Sequence, residues 1–135
     1  MITAVDSNVL IDVFEPDPVF GPASTRQLQR CISEGGLIAC GVVWAEVVAL
    51  APSRQTFHEA MGSLGVLFDP LDERSAVDAG VACGAYRRAR GPKDRLIADF
   101  VIGAHATVRA DRLLTRDRGF YRRYFQDLPV IDPTR

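Results

Sequence analysis

The chain has 135 residues, of which 47% are hydrophobic and 24% charged, with a formal net charge of −1. These values fit one globular domain over residues 1–135 and exclude a disordered chain. No apolar run approaches the roughly 20 residues that span a bilayer, and the amino terminus lacks the basic and apolar regions of a signal peptide. We therefore expect a cytoplasmic location and no membrane partner. The cysteines Cys31, Cys40 and Cys83 are odd in number and widely spaced, which favours neither disulfides nor a zinc knuckle.

Charge is unevenly distributed along the chain. Residues 1–80 carry 11 acidic and 4 basic side chains, whereas residues 81–135 carry 6 acidic and 12 basic ones. The two parts therefore differ in sign, at −7 and +6. A basic carboxyl-terminal part hints at an anionic partner, although basic residues on helices also form ordinary solvated faces.

Strands and helices alternate in the predicted element order. A strand near residues 2–5 is followed by a helix over 21–34 that ends at Gly35-Gly36, and by a strand near 37–40. Helices are expected over 44–50 and from the capping residue Ser53 to about 61, before a third strand over 65–68. The periodicity then predicts helices over 73–90 and 93–109 and strands near 112–115 and 129–131. This alternation predicts an α/β fold with a parallel sheet covered on both faces.

Four acidic residues occupy positions at which an α/β fold commonly places a functional site. Asp6 follows the first strand and Asp117 follows Leu113-Leu114-Thr115, and ligands of open α/β sheets bind at the carboxyl ends of strands. Glu46 and Asp99 interrupt apolar helical segments, where an unpaired buried carboxylate is costly. Three of them have a structural alternative: a helix N-cap for Asp6, a turn former for Asp117, and an ion pair with Arg95 or a helix-capping contact for Asp99. Their joint occurrence favours a metal site.

Carboxylate oxygens are the ligands preferred by Mg²⁺ and Mn²⁺, and all-carboxylate sites suit phosphodiester chemistry with a water activated by the metal. Other acids are left outside this set. Asp12 is expected to be a surface carboxylate, Asp94 a charge at a helix amino terminus, and Asp111 and Asp127 loop residues. The metal scheme also needs neither of the two histidines, His58 and His105.

The motifs that carry these acids are Asp6-Ser-Asn-Val-Leu-Ile-Asp, Ala45-Glu46-Val-Val, Ala98-Asp99-Phe-Val-Ile-Gly-Ala-His-Ala and Leu114-Thr115-Arg-Asp117. In order and spacing they resemble the PIN domain and, more narrowly, VapC-type toxins of type II toxin-antitoxin pairs. The resemblance implies a three-layer α/β/α sandwich with a central parallel sheet of about five strands. It also implies a metal-dependent endoribonuclease that cleaves transfer or ribosomal RNA.

The resemblance assigns roles residue by residue. Asp6, Glu46, Asp99 and Asp117 match the carboxylate quartet that binds Mg²⁺ or Mn²⁺, and Thr115 matches a hydroxyl residue that orients a carboxylate or a water. Asn8 matches a polar position that either contacts substrate or satisfies backbone groups. The resemblance further implies a VapB-like antitoxin and a homodimer. Residues 13–20 and the helix at 53–64 are candidates for a hydrophobic clamp around a partner helix.

Candidate RNA-binding arginines are interleaved with aromatic residues near the carboxyl terminus: Arg116, Arg118, Arg122 and Arg123. Such a pattern can pair phosphates with base stacking, or the aromatics can instead pack a carboxyl-terminal helix onto the sheet. Two other functions are open. One is a catalytically silent PIN-like module that binds RNA or a partner. The other is a phosphohydrolase of the haloacid dehalogenase type, against which stand Asn8 at the position of its second acid and Lys93 as the single lysine.

Overall fold

The structure is a computed structural model that describes residues 1–89, 95 and 97–135. Its five strands are β1 (Ile2–Val5), β2 (Gly36–Ala39), β3 (Val66–Phe68), β4 (Arg112–Leu114) and β5 (Val130–Ile131). The helices of the described residues are α1 (Ser7–Phe14), α2 (Gly21–Glu34), α3 (Gly41–Val48), α4 (Arg54–Leu64), α5 (Glu73–Arg88), α6 (Ile97–Arg109) and α7 (Arg118–Tyr124).

All strands are parallel, and they lie in the order β3-β2-β1-β4-β5. Helices cover the sheet, so the predicted three-layer α/β fold with a five-stranded parallel sheet is confirmed. The chain builds outward from β1 through β2 to β3, and then crosses to the other side of β1 to form β4. The connections that leave β1 and β4 therefore diverge, and the crevice between them is the ligand-binding position of open α/β sheets.

Local sequence signals explain where several helices begin and end. The side chain of Asp6 accepts a hydrogen bond from the amide of Ser7 and caps α1. Ser53 caps α4 as expected from the sequence, since its hydroxyl accepts a bond from the Thr56 amide at 3.0 Å. Gly65 ends α4 with φ of 70°, a left-handed conformation that glycine adopts without steric cost.

Aromatic side chains of α5, α6 and α7 form one cluster in the core. The ring of Phe100 lies 5.2 Å from that of Phe120 and 5.4 Å from that of Tyr86, measured between centroids. Tyr124 and Phe125 extend the same cluster. The carboxyl-terminal aromatics thus attach α7 to the body of the protein, which was one of the two interpretations of their pattern. None of the described helices has the length and apolar character needed to cross a membrane.

Some boundaries differ from the sequence-based predictions. No bounds were predicted for α1 or α7, which are short, although the sequence allowed a helix after Asp6 and a carboxyl-terminal helix. The helix predicted over 44–50 begins earlier, at Gly41, and ends at Val48. Helix α6 begins at Ile97, and of the residues expected to precede it in the same helix, 93, 94 and 96 lie outside the described part of the chain. The helix predicted over 73–90 ends at Arg88, and residue 90 is likewise outside the described part.

Candidate active site

Asp6 lies at the centre of the candidate site, at the carboxyl end of β1. Its side chain is buried, and its two oxygens accept hydrogen bonds from the Ser7 amide at 2.7 Å and from the Thr115 hydroxyl at 2.8 Å. Burial raises the pKa of the Asp6 carboxyl to about 6, although the hydrogen bonds from Thr115 and Ser7 oppose this shift. The negative charge of Glu46 contributes to the increase. The predicted N-cap role and a place in the site therefore coexist in one residue.

Thr115 connects Asp6 to Asp117. Its buried hydroxyl donates to Asp6 and accepts a bond from the Asp117 amide at 2.9 Å. The side-chain amide of Asn8 lies 3.3 Å from the same hydroxyl and 3.4 Å from the second oxygen of Asp6. Asp117 occupies the N-cap position of α7, but its side chain makes no capping bond. The carboxylate of Asp117 is consequently available for other partners.

Glu46 lies at the rim of the site on α3. The inward positions of this helix are Val43 and Val47, which are four residues apart, so Glu46 falls beside the buried stripe and is exposed. The expectation that Glu46 is buried with its apolar neighbours is therefore wrong. Its carboxylate accepts a bond from the Ser7 hydroxyl at 3.1 Å, which places it next to Asp6.

Tyr121 is a buried residue of α7 whose phenol is influenced by three of the acids. This residue is 1% exposed, and burial, followed by the negative charges of Asp6 and Asp99, strongly raises the pKa of its phenol. Asp117 acts in the same direction. Asp99 itself is half-buried in the first turn of α6. The sequence analysis missed Tyr121; its position four residues after Asp117, on the same face of α7, was the available signal.

Arg95 neutralises part of this acidic region. Its guanidinium forms a two-point ion pair with Asp117, in which Nη1 contacts Oδ2 and Nη2 lies 3.1 Å from Oδ1. The same group lies 4.4 Å from the centroid of the Phe120 ring, which adds a cation–π contact. Arg95 reaches Asp117 from a position that precedes α6.

The remaining sequence candidates lie in other environments. Asp12 is 3% exposed and bonded to Arg116, so the expectation of a surface carboxylate is wrong; α1 turns this residue toward α2 and the loop that follows β4. Arg118 is half-buried, whereas Arg122 and Arg123 are exposed on α7.

The two histidines lie outside the acidic site. His105 is buried and lies 2.7 Å from Asp69, which also pairs with Arg109. His58 packs against Phe57 and Trp44. None of these contacts involves an acid of the site.

The donor chemistry at this crevice fits a hard divalent cation. The carboxylates of Asp6 and Glu46 both accept from the Ser7 hydroxyl, and burial raises the pKa of Asp6 and of Tyr121, with nearby negative charge adding to both increases. Among residues 1–89, 95 and 97–135, however, no three acidic, histidine or cysteine side chains are close enough to share one metal ion. One reason is visible, since the Asp117 carboxylate is turned to Arg95. The side chains are of the right chemical type, and holding one ion with three of them would require side-chain movement.

Comparisons with known proteins agree with this architecture. The family profile described as "PIN domain" matches residues 3–126. The VapBC2 structure from Rickettsia felis, bound to a promoter DNA fragment, superposes with a TM-score of 0.74 at 14% identity over 98% of both chains. VapBC-1 from nontypeable Haemophilus influenzae gives 0.72 at 19% identity over 100% of both chains. FitAcB from Neisseria gonorrhoeae gives 0.68 at 24% identity over 99% of both chains. No curated protein sequence matches significantly.

Proposed function

The chain belongs to the PIN domain family, and on that premise we propose that it is a metal-dependent endoribonuclease, the toxin of a VapBC-type toxin-antitoxin pair. The observation that supports the proposal is that Asp6 is linked to Glu46 through the Ser7 hydroxyl and to Asp117 through the Thr115 hydroxyl, at the switch point of the sheet. Asp99, in the first turn of α6, completes the proposed set. Full-length superposition on chains of VapBC and FitAB structures supports it. Family membership also favours this function over a phosphohydrolase of the haloacid dehalogenase type.

The four carboxylates are the proposed ligands of Mg²⁺ or Mn²⁺. Bound there, the cation would polarise a phosphodiester and lower the pKa of a water, which makes a protein nucleophile unnecessary. Asp6 is held on both oxygens, by Ser7 and Thr115, so its carboxylate is fixed before any ligand arrives. Thr115 carries out its proposed catalytic role by orienting Asp6 and the Asp117 amide.

The proposed substrate is RNA, and transfer and ribosomal RNA are the proposed targets. An acidic crevice repels phosphates, so binding needs positive charge at its margin. The arginines of α7 supply such charge, since Arg122 and Arg123 are exposed and Arg118 is half-exposed. All three belong to the helix that begins immediately after Asp117. Strong salt dependence of RNA binding is the expected signature of these contacts.

The proposed protein partner is a VapB-like antitoxin. A mainly apolar groove of about 210 Å³ opens between α1, α3 and α4. It is lined by side chains that include Ile11 and Phe14 of α1, Val47 of α3, and Phe57 and Ala60 of α4. Phe14 belongs to the first segment of the expected hydrophobic clamp, and Phe57 and Ala60 belong to the second. A groove of this kind suits the apolar face of a partner helix. The structures similar to this chain include a complex described as a toxin-antitoxin complex from Klebsiella pneumoniae. A homodimer and a cytoplasmic location complete the proposal.

Induced expression in a bacterial host tests the toxin function. We expect the wild-type chain to arrest growth and to generate discrete RNA fragments, whereas Asp6→Ala, expressed to the same level, does neither. Growth arrest by Asp6→Ala equal to that of the wild type would contradict the nuclease. Arrest without RNA fragments would instead favour the catalytically silent binding module.

A further inference from the structure

Arg116 lies between Thr115 and Asp117, two residues of the candidate site, yet its own side chain points away from the acids. Its guanidinium makes a two-point contact with Asp12, with Nε 2.8 Å from Oδ2 and Nη2 3.1 Å from Oδ1. The guanidinium carbon also lies 4.1 Å from the centroid of the Phe20 ring. Two groups, the Asp12 carboxylate and the Phe20 ring, therefore fix one side chain.

Asp12 is committed to this interaction. Its side chain is only 4% exposed, and its Oδ2 also accepts a bond from the Ser24 hydroxyl at 2.8 Å. A buried carboxylate without a cation would be costly, so Arg116 is the partner that makes its burial possible. Because Asp12 is on α1 and Ser24 is on α2, the pair joins both helices to the loop that follows β4.

The main chain of Arg116 is held as well. Its amide donates to the side-chain oxygen of Asn8 at 3.2 Å, so backbone and side chain are both tied to α1. The neighbouring Thr115 hydroxyl is bonded to Asp6, which immediately precedes α1. The segment that ends in Asp117 is thus attached to α1 at three successive points along that helix and its cap: Asp6, Asn8 and Asp12.

We propose that Asp12 and Arg116 are positioning residues that hold Thr115 and Asp117 against Asp6 and thereby set the affinity of the site for a divalent cation. The inference rests on the proposed function. It assigns Arg116 a role different from RNA contact, since the fork of its guanidinium faces Asp12. Residues that orient metal ligands typically change metal affinity by about 10–100-fold when they are mutated.

Arg112, the first residue of β4, provides a matched control. Its side chain is 11% exposed, and it makes a 2.7 Å ion pair with Glu34 and a 2.8 Å bond to Thr3 at the other end of β4. Lysine at either position keeps the charge and removes the two-pronged geometry of the guanidinium. Arg116→Lys and Arg112→Lys should therefore both weaken the fold, but only Arg116→Lys should disturb the acids.

The test is titration of the purified chain with Mn²⁺ by calorimetry, with folding checked by circular dichroism. We expect Asp12→Asn and Arg116→Lys to weaken Mn²⁺ binding about tenfold or more, and Arg112→Lys to bind as the wild type does. Phe20→Leu removes the ring that lies against the Arg116 guanidinium but keeps the ion pair with Asp12, so we expect it to weaken Mn²⁺ binding by a few fold. This variant provides the test if Asp12→Asn or Arg116→Lys does not fold.

Two results would overturn the inference: wild-type affinity in folded Arg116→Lys, or an equal loss in Arg112→Lys. A wild-type chain that binds no Mn²⁺ would instead contradict the proposed function, and the positioning role with it.

Discussion

Arg95 and Asp117 are 22 residues apart in sequence, and they meet in a two-point ion pair at the edge of the candidate site. The side chains of the pair are 26% and 33% exposed, so solvent screens part of their attraction. A divalent cation that uses the Asp117 carboxylate must compete with the guanidinium of Arg95. The positive guanidinium of Arg95 therefore occupies one of the four proposed metal ligands.

Removing this competitor should strengthen metal binding. Partly exposed ion pairs are worth up to about 1 kcal/mol, which corresponds to about fivefold in affinity. We expect Arg95→Gln to raise the Mn²⁺ affinity by about this factor in a calorimetric titration at low ionic strength. Arg109→Gln is the matched control, since Arg109 makes a similar two-point contact with Asp69 outside the site. Unchanged affinity in Arg95→Gln would mean that Asp117 is not a ligand.

The pKa of Asp6 predicts how stability depends on pH. Its value of about 6 in the folded state exceeds the ordinary 3.8, so folding favours the protonated carboxyl. The stability that this group contributes is complete below the ordinary pKa and is lost as the pH rises through about 6. A shift of this size corresponds to about 3 kcal/mol.

The side chain at position 6 of the variant Asp6→Asn cannot ionise, so the variant should not lose stability in this way as the pH rises. In urea unfolding with EDTA, we expect the free energy of unfolding of the variant, relative to the wild type, to increase by about 2 kcal/mol between pH 4 and pH 7, since part of the difference is already present at pH 4. Other carboxyl groups titrate in both proteins and cancel in the difference. A difference that is independent of pH would show that the Asp6 carboxyl is not perturbed by its burial.

Asp99→Asn separates catalysis from folding. We expect the variant to lose metal-dependent cleavage while its melting temperature stays the same or rises, because one of the mutually repelling charges around Tyr121 is removed. Asp127→Asn, which changes an exposed loop carboxylate, should retain cleavage. If Asp99→Asn failed to fold, Asp99 would have a structural role instead.

Gly103 tests how α7 is attached to the core. A Cβ at this position would lie 2.4 Å from the ring of Phe125, whereas nothing lies within 4 Å of one at Gly80 on α5. Alanine should therefore stabilise the protein at Gly80 by about 0.5–1 kcal/mol. At Gly103 the same gain is opposed by overpacking of about 1–3 kcal/mol, so we expect a net loss. Thermal unfolding of both variants provides the measurement, and a higher melting temperature for Gly103→Ala would show that Phe125 moves aside freely.

The sequence predicted the fold well where its signals are local. The positions of the strands follow from the hydrophobic periodicity, and the start of α4 follows from the capping residue Ser53. The position of Asp6 and Asp117 after the carboxyl ends of strands follows from the parallel order of the sheet. Asp12 and Glu46 were misjudged in opposite directions, because their burial depends on which side of α1 and α3 faces the sheet. The pairings of Arg116 with Asp12 and of Arg95 with Asp117 span 104 and 22 residues, and no local pattern announces them.

The most direct measurement is cleavage of total cellular RNA by the purified chain, with Mg²⁺, with Mn²⁺ and with EDTA, beside Asp6→Ala and the control Asp127→Asn. Discrete fragments that require both the metal and Asp6, and that persist in Asp127→Asn, are the predicted result. Folded wild-type protein that binds Mn²⁺ and cleaves no RNA, or cleavage that survives EDTA or the loss of Asp6, would contradict the assignment of a metal-dependent endoribonuclease.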